Sequence, residues 1–216
     1  MEWITQLIDF ILHVDKHLQG IFQDYGIWIY AILFLIIFVE TGLVVMPFLP
    51  GDSLLFATGA LISVTNELNI FTMGLLLFVA AVIGDTANYF VGKKLGKVVF
   101  ERESKWIKKE YLFRTRSFYE KYGGKAIIFA RFVPIVRSFA PFVAGVGTMH
   151  YPKFIAYNVI GGLVWVWSFL FLGYFFADTE IVRKNFTLVI FGIIVLSIMP
   201  PIIEIIRHRL KSKKRA

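Results

Sequence analysis

AIIFARFVPIVRSFAPFVAGVGTM, residues 126–149, decides how this chain is folded, because it is apolar enough for lipid and yet carries Arg131, Pro134, Arg137 and Pro141. As one straight helix it would be a crossing; as two arms it turns back. Charge separates the two readings. Residues 93–125 hold eleven Lys/Arg against four Asp/Glu and residues 207–216 hold six against none, whereas residues 1–92 hold only Lys16. Basic clusters beside apolar segments mark the cytoplasmic side of a membrane. Three apolar segments (126–149, 152–176 and 186–206) lie between these two regions, and three full crossings would put them on opposite sides. One segment must return to the side it came from, and 126–149, with its two prolines, is the candidate. Each arm of about 12 residues reaches about 18 Å at 1.5 Å per residue. Its tip then falls near the middle of a hydrocarbon core about 30 Å thick.

The rest of the composition agrees with a membrane chain. Of 216 residues, 57% are hydrophobic and 17% aromatic, with a mean hydropathy of +0.70, too apolar for a soluble domain of this length. The clustering of the net charge of +8 beside apolar segments argues for anionic lipid headgroups as partners of the basic tail 207–216, and against nucleic acid. No cysteine is present, so neither a disulfide framework nor a thiolate metal site arises. Residues 1–26 space apolar positions at helical intervals among charges, which suits an amphipathic interfacial segment or an ordinary packed helix. No basic leader precedes a short apolar run, so the N-terminus reads as retained.

FVETGLVVMPFLPGDSLL, residues 38–55, poses the same problem as 126–149. The apolar stretch 27–64 is too long for one helix, and Pro47, Pro50 and Gly51 break it where a tip would fall. Non-helical backbone at that depth is tolerated only where it is buried in protein or lines a watery cavity. A pattern repeats: hairpin 27–64 and helix 71–91, then hairpin 126–149 and helix 152–176. The expected fold is an all-α polytopic membrane protein, an inverted repeat of re-entrant helical hairpin plus transmembrane helix, with an additional transmembrane helix at 186–206. The loop 93–125 and the tail are cytoplasmic in this scheme. Inverted repeats with broken helices are a common plan of secondary transporters.

Four charges accompany the two tips: Glu40 and Asp52 at the first, Arg131 and Arg137 at the second. Each costs at least ~2.5 kcal/mol at bilayer depth and therefore calls for a partner, water or a ligand. Guanidinium forks suit phosphate or carboxylate and stay charged at any working pH. Carboxylates can take up and release a proton. The candidate site is thus Arg131 and Arg137 for phosphate binding and Glu40 and Asp52 for proton coupling. The plainer reading has both acids statically paired with both arginines.

Asp85, in GDTANYFVGKKLG, is a further candidate for proton coupling, on a helix face shared with Gly84, Asn88 and Gly92; local hydrogen bonding accounts for it equally well. Gly161 and Gly162 suit close helix contact, and Trp3, Trp28, Trp165, Trp167 and Tyr174 read as interfacial anchors or packing. No metalloprotease, hydrolase or P-loop motif is present. His13, His17, His150 and His208 lie near segment ends rather than at the tips. No enzyme, metal or cofactor is expected.

Taken together, E-x-G-(x)4-P-x-x-PGDSLL at 40–55, GD-x3-Y-x2-G at 84–92, F-x-RF-x-P-x-VR-x3-P-x-x-AG at 129–145 and N-x2-G-x3-W at 158–165 resemble the bacterial DedA family of inner-membrane proteins, which is similar in plan to the VTT-domain scramblases. The resemblance covers about residues 27–180. It implies two facing re-entrant hairpins, a bacterial inner-membrane location, and return of undecaprenyl phosphate across the membrane in dependence on the proton motive force. The family's functional acids fall on Glu40 and Asp52 and its functional arginines on Arg131 and Arg137. An uncoupled phospholipid scramblase, a scaffold for envelope or division machinery, and an ion or proton antiporter are the competing expectations; a homo-oligomer is compatible with all of them.

Overall fold

A computed structural model describes residues 14–43, 51–65, 68–101 and 109–177, with Thr179 and Val182. Pro47, Pro50, Trp3, the helix expected at 186–206 and the tail 207–216 lie outside the described residues. Every regular element among those described is helical: α1 Val14–Gly42, α2 Gly51–Thr65, α3 Ile70–Glu101, α4 Lys109–Tyr122, α5 Ala126–Ala130, α6 Pro134–Val143 and α7 Tyr151–Ala177. A short 3₁₀ turn, Gly123–Lys125, joins α4 to α5, and a π-helical turn, Ala144–Thr148, follows α6.

Among the described residues, two helices are long and apolar enough to cross a membrane: Ile70–Leu95 within α3 (26 residues) and α7 (27 residues). Their faces are sorted opposite to those of a soluble protein. Along α3, Phe71, Leu75, Val79, Ile83 and Phe90 are exposed, while Asp85 and Asn88 are buried with Met73, Leu77, Ala80 and Ala81. Along α7, Leu163, Leu172, Phe175 and Phe176 face out and Asn158 is buried. Water would reverse this arrangement; lipid favours it, since hydrocarbon solvates leucine and not amide groups.

The described residues fall into two compact units. One takes in residues 14–26, 51–65, 68–70 and 169–177 with Thr179 and Val182, the other residues 27–43, 71–101 and 109–168. In the first, Ala60, Ala177 and Val182 form a buried apolar cluster, and the rings of Phe56 and Phe176 meet at 5.6 Å between centroids. The continuous stretch 27–64 is interrupted: α1 ends at Gly42 and α2 begins at Gly51.

The second unit contains the break in the deciding stretch. Helix α5 ends at Ala130, residues 131–133 turn, and α6 begins with Pro134 in its first turn. Val133 is extended (φ −117°, ψ 105°), as a residue before proline is pushed to be. Pro134 therefore acts where the sequence places a breaker. Pro141 lies inside α6 instead; it has no N–H to offer the carbonyl of Arg137, and three residues after it the helix widens into the π-turn, closed by Met149 N–H donating to Ala144 O at 3.2 Å.

Residues 93–125, read as a polar loop, contain the end of α3 and all of α4, and α4 packs along α6. Thr115 and Tyr119 are buried on one side of α4 while Arg116 and Glu120 are exposed and paired across one turn at 3.5 Å. Tyr119 Oη donates to Ala140 O at 2.9 Å. Tyr119→Phe removes that donor while Ala140 O keeps the bond from the Ala144 N–H, so a loss of about 0.5–1.5 kcal/mol is expected, read as a lower thermal midpoint of the purified protein.

On its other side α6 lies against α3 at backbone distance. A Cβ at Gly92 would collide with the carbonyl of Phe142, and one at Gly145 with the carbonyl of Tyr89. Reciprocal glycines of this kind let two helices approach without a driving force from water. Tyr89 seals the contact, donating to Met149 O at 2.9 Å and stacking on Phe154 at 4.5 Å.

Candidate functional site

Close approach of α1, α3, α5, α6 and α7 within the second unit brings four ionisable side chains into an apolar interior. Helix α1 turns Trp28, Ile32 and Leu35 outward, at spacings of four and three, and Ile37, Glu40 and Thr41 inward. Asn88 ties its end down: Nδ2 donates to Thr41 O at 3.2 Å and to Ser138 O at 2.9 Å. One buried amide thus fixes the residues following Glu40 and Arg137 to the same point on α3.

Two ion pairs result. Arg137 Nη2 lies 2.9 Å from Glu40 Oε1, with side chains 11% and 4% exposed. Arg131 Nη2 lies 2.5 Å from Asp85 Oδ2, at 5% and 7%. Such low exposure matters because pairs at the surface are worth little, whereas breaking a buried one leaves an uncompensated charge. Arg131 Nη2 also donates to Asn158 Oδ1 at 2.5 Å, and Asn158 Nδ2 donates to Val82 O at 3.1 Å. Arg131 Nε and Asn88 Oδ1 are buried and have no hydrogen-bond partner among the described residues.

Beneath both guanidinium groups lies Trp165, which is fully buried. Its ring centroid is 4.5 Å from Cζ of Arg137 and 5.7 Å from Cζ of Arg131, within the range of cation–π attraction.

Of the residues singled out in the sequence, Glu40, Arg131 and Arg137 are brought into this cluster, and Asp85 joins them as the partner of Arg131. Asp52 lies in the other unit, half-buried in the first turn of α2, where a carboxylate is favoured by the N-terminal helix dipole. Gly51 is the first residue of that helix. Sequence reasoning missed Asn158 and Trp165. Their signal was the spacing of Asn158, Gly161, Gly162 and Trp165, which places all four on one face of an otherwise apolar helix.

Chemically, the cluster combines two permanent cations with two groups able to exchange protons, in a site with no bulk water to screen them. It contains no nucleophile paired with a base, the arrangement that covalent catalysis needs.

Comparison with known proteins agrees with this architecture. The VTT domain family matches residues 49–175. The chain is 56% identical over 218 residues to Protein DedA of Escherichia coli strain K12, covering all of both chains. It is 41% identical over 179 residues to an uncharacterized membrane protein of Mycobacterium tuberculosis, covering 81% of this chain and 78% of that one. It is 33% identical over 187 residues to inner membrane protein YqjA of Escherichia coli strain K12, covering 85% and 83%. These names describe membrane proteins and indicate no catalysis. No solved structure matches. With a domain match over more than half its length and full-length identity to a DedA protein, the chain belongs to the DedA family of VTT-domain membrane proteins.

Proposed function

We propose that the protein is a proton-motive-force-dependent transporter of an anionic lipid phosphate in the bacterial inner membrane, with undecaprenyl phosphate as its substrate. The carrying observation is the buried double ion pair, Arg131 with Asp85 and Arg137 with Glu40. As it stands the cluster is electrically balanced. When a phosphate monoester of one to two negative charges arrives, the balance is kept if the carboxylates take up one proton for each of those charges and yield their arginines to the phosphate oxygens. Arg131 Nε, buried without a protein acceptor among the described residues, supplies a donor that an incoming oxygen satisfies. Release of the protons on the other side returns the acids to the arginines and expels the lipid. Asp52 joins Glu40 and Asp85 in this coupling.

In the membrane, α3 and α7 span, and residues 126–149, which hold α5, α6 and the π-turn, form a re-entrant hairpin. The tail 207–216, with six Lys/Arg and no acidic residue, suits anionic headgroups on the cytoplasmic side. A headgroup then passes by way of the Arg131–Arg137 cluster while its polyprenyl chain stays in lipid, which is how so short a chain can move so large a molecule.

The test is the purified protein in phosphatidylethanolamine–phosphatidylglycerol vesicles with fluorescent polyprenyl phosphate and an imposed pH gradient. Transport is expected to follow the gradient in rate and to require the phosphate. Equal movement of phosphate and choline headgroups without a gradient would instead identify a scramblase; no movement at all would remove the transport reading.

A further inference from the structure

Helix α7 carries no charged side chain in the site, yet one face of it is shaped around guanidinium groups. Asn158, Gly161, Gly162 and Trp165 recur at intervals of three, one and three, so they line a single stripe. Each has its own contact with an arginine. Asn158 accepts from Arg131, and its own donation to Val82 O keeps the amide oxygen turned that way. A Cβ on Gly161 would stand 3.2 Å from Arg131 Nε, and one on Gly162 would stand 3.5 Å from Nη2. Gly161 thus leaves the guanidinium room that a side chain would crowd, while a Cβ at Gly162 would meet it in ordinary van der Waals contact. Trp165 holds the far end, under Arg137 and within reach of Arg131.

A buried tryptophan in an apolar helix can be mere filling. Here its neighbours are two like charges that repel one another, and filling does not explain why both gather over the same ring. An indole face is the neutral surface that attracts a cation most strongly without neutralising it. Asp85 and Glu40 must each be protonated to give up their arginines, whereas the neutral ring keeps its contact with both whatever the protonation state.

We propose that Trp165 is the positioning residue for both arginines: its indole face holds the guanidinium groups of Arg131 and Arg137 side by side, with their charge intact, so that one phosphate headgroup meets both. The proposal rests on the transport reading for the identity of the ligand, and on geometry alone for the platform itself.

Progressive fluorination of the indole at position 165 drains the negative face of the ring while nearly preserving its size, which a packing role tolerates and a cation platform does not. Fluorotryptophans are placed at that position alone in the full chain, and the protein is assayed in the vesicles described above. The half-saturating concentration of fluorescent polyprenyl phosphate is expected to rise stepwise with fluorine number, to about tenfold for tetrafluorotryptophan. Trp165→Phe should fall inside that series and Trp165→Leu beyond it. A flat series with active protein overturns the platform. Should the unsubstituted protein move no polyprenyl phosphate, the transport reading fails by itself, and thermal unfolding decides the platform. There, a double-mutant cycle of Trp165→Leu with Arg137→Lys is expected to be non-additive, and additive effects overturn it.

Discussion

Replacing Arg131 by leucine is expected to stop lipid phosphate transport and to remove roughly 3–5 kcal/mol of stability. The loss has two sources: the Asp85 carboxylate is left in an apolar interior without its counter-charge, and Asn158 Oδ1 loses its donor. Leucine in place of both Arg131 and Asp85 removes both charges together, and replacing a buried ion pair by packed apolar groups is often neutral or better. The double variant is therefore expected to regain most of the lost stability and to remain inactive. Thermal unfolding in detergent measures the first quantity and vesicle translocation the second. Their divergence separates a binding site from a structural clasp. A doubly apolar variant that folds and still moves polyprenyl phosphate would leave the pair with a structural role only.

Helix α7 and the apolar part of α3 are legible in the sequence because a run of 26 or 27 apolar residues has few other uses. The turn at residues 131–133 is legible because Pro134 forces the residue before it out of helical geometry. Helix α4 is hidden by its charges. Among the described side chains of KEYLFRTRSFYEKY, Thr115 and Tyr119 are the buried ones, and a reading based on basic content sees a loop. The pairing of charges is hidden for a different reason. Burial cost says that Glu40, Arg131 and Arg137 need partners; which acid meets which arginine depends on helix crossings fixed by Gly92, Gly145 and the Asn88 amide. A charge swap designed from the sequence would exchange Glu40 with Arg131, whereas the structure pairs Glu40 with Arg137 and gives Arg131 to Asp85. Trp165 was obscured by the habits of its residue type, since tryptophan in an apolar segment usually marks the interface.

Glu40→Gln provides the sharpest test of proton coupling, because it is expected to improve binding and impair transport together. Glutamine has the shape of glutamate, and its amide oxygen can accept the Arg137 Nη2 hydrogen bond that Glu40 Oε1 accepts at 2.9 Å, so the packing of α1 against α6 has little reason to change. The electrical balance does change. Two arginines now face only Asp85, and the site carries a permanent positive charge, as if one proton had been bound and could not leave. A phosphate monoester should bind about tenfold more tightly to such a site, equivalent to about 1.4 kcal/mol. Its release, which requires the carboxylate to reclaim Arg137, should slow by a similar factor. In vesicles this appears as a lower half-saturating concentration, a lower maximal rate, and a rate that no longer responds to the imposed gradient through this acid. Glu40→Ala provides the contrast, since it also removes the acceptor and leaves a cavity beside Ile37, so weaker binding from misplaced Arg137 is expected there. If glutamine and alanine behave alike, losing binding and rate in parallel, Glu40 serves only to hold Arg137 in place, and proton exchange has to be sought at Asp85.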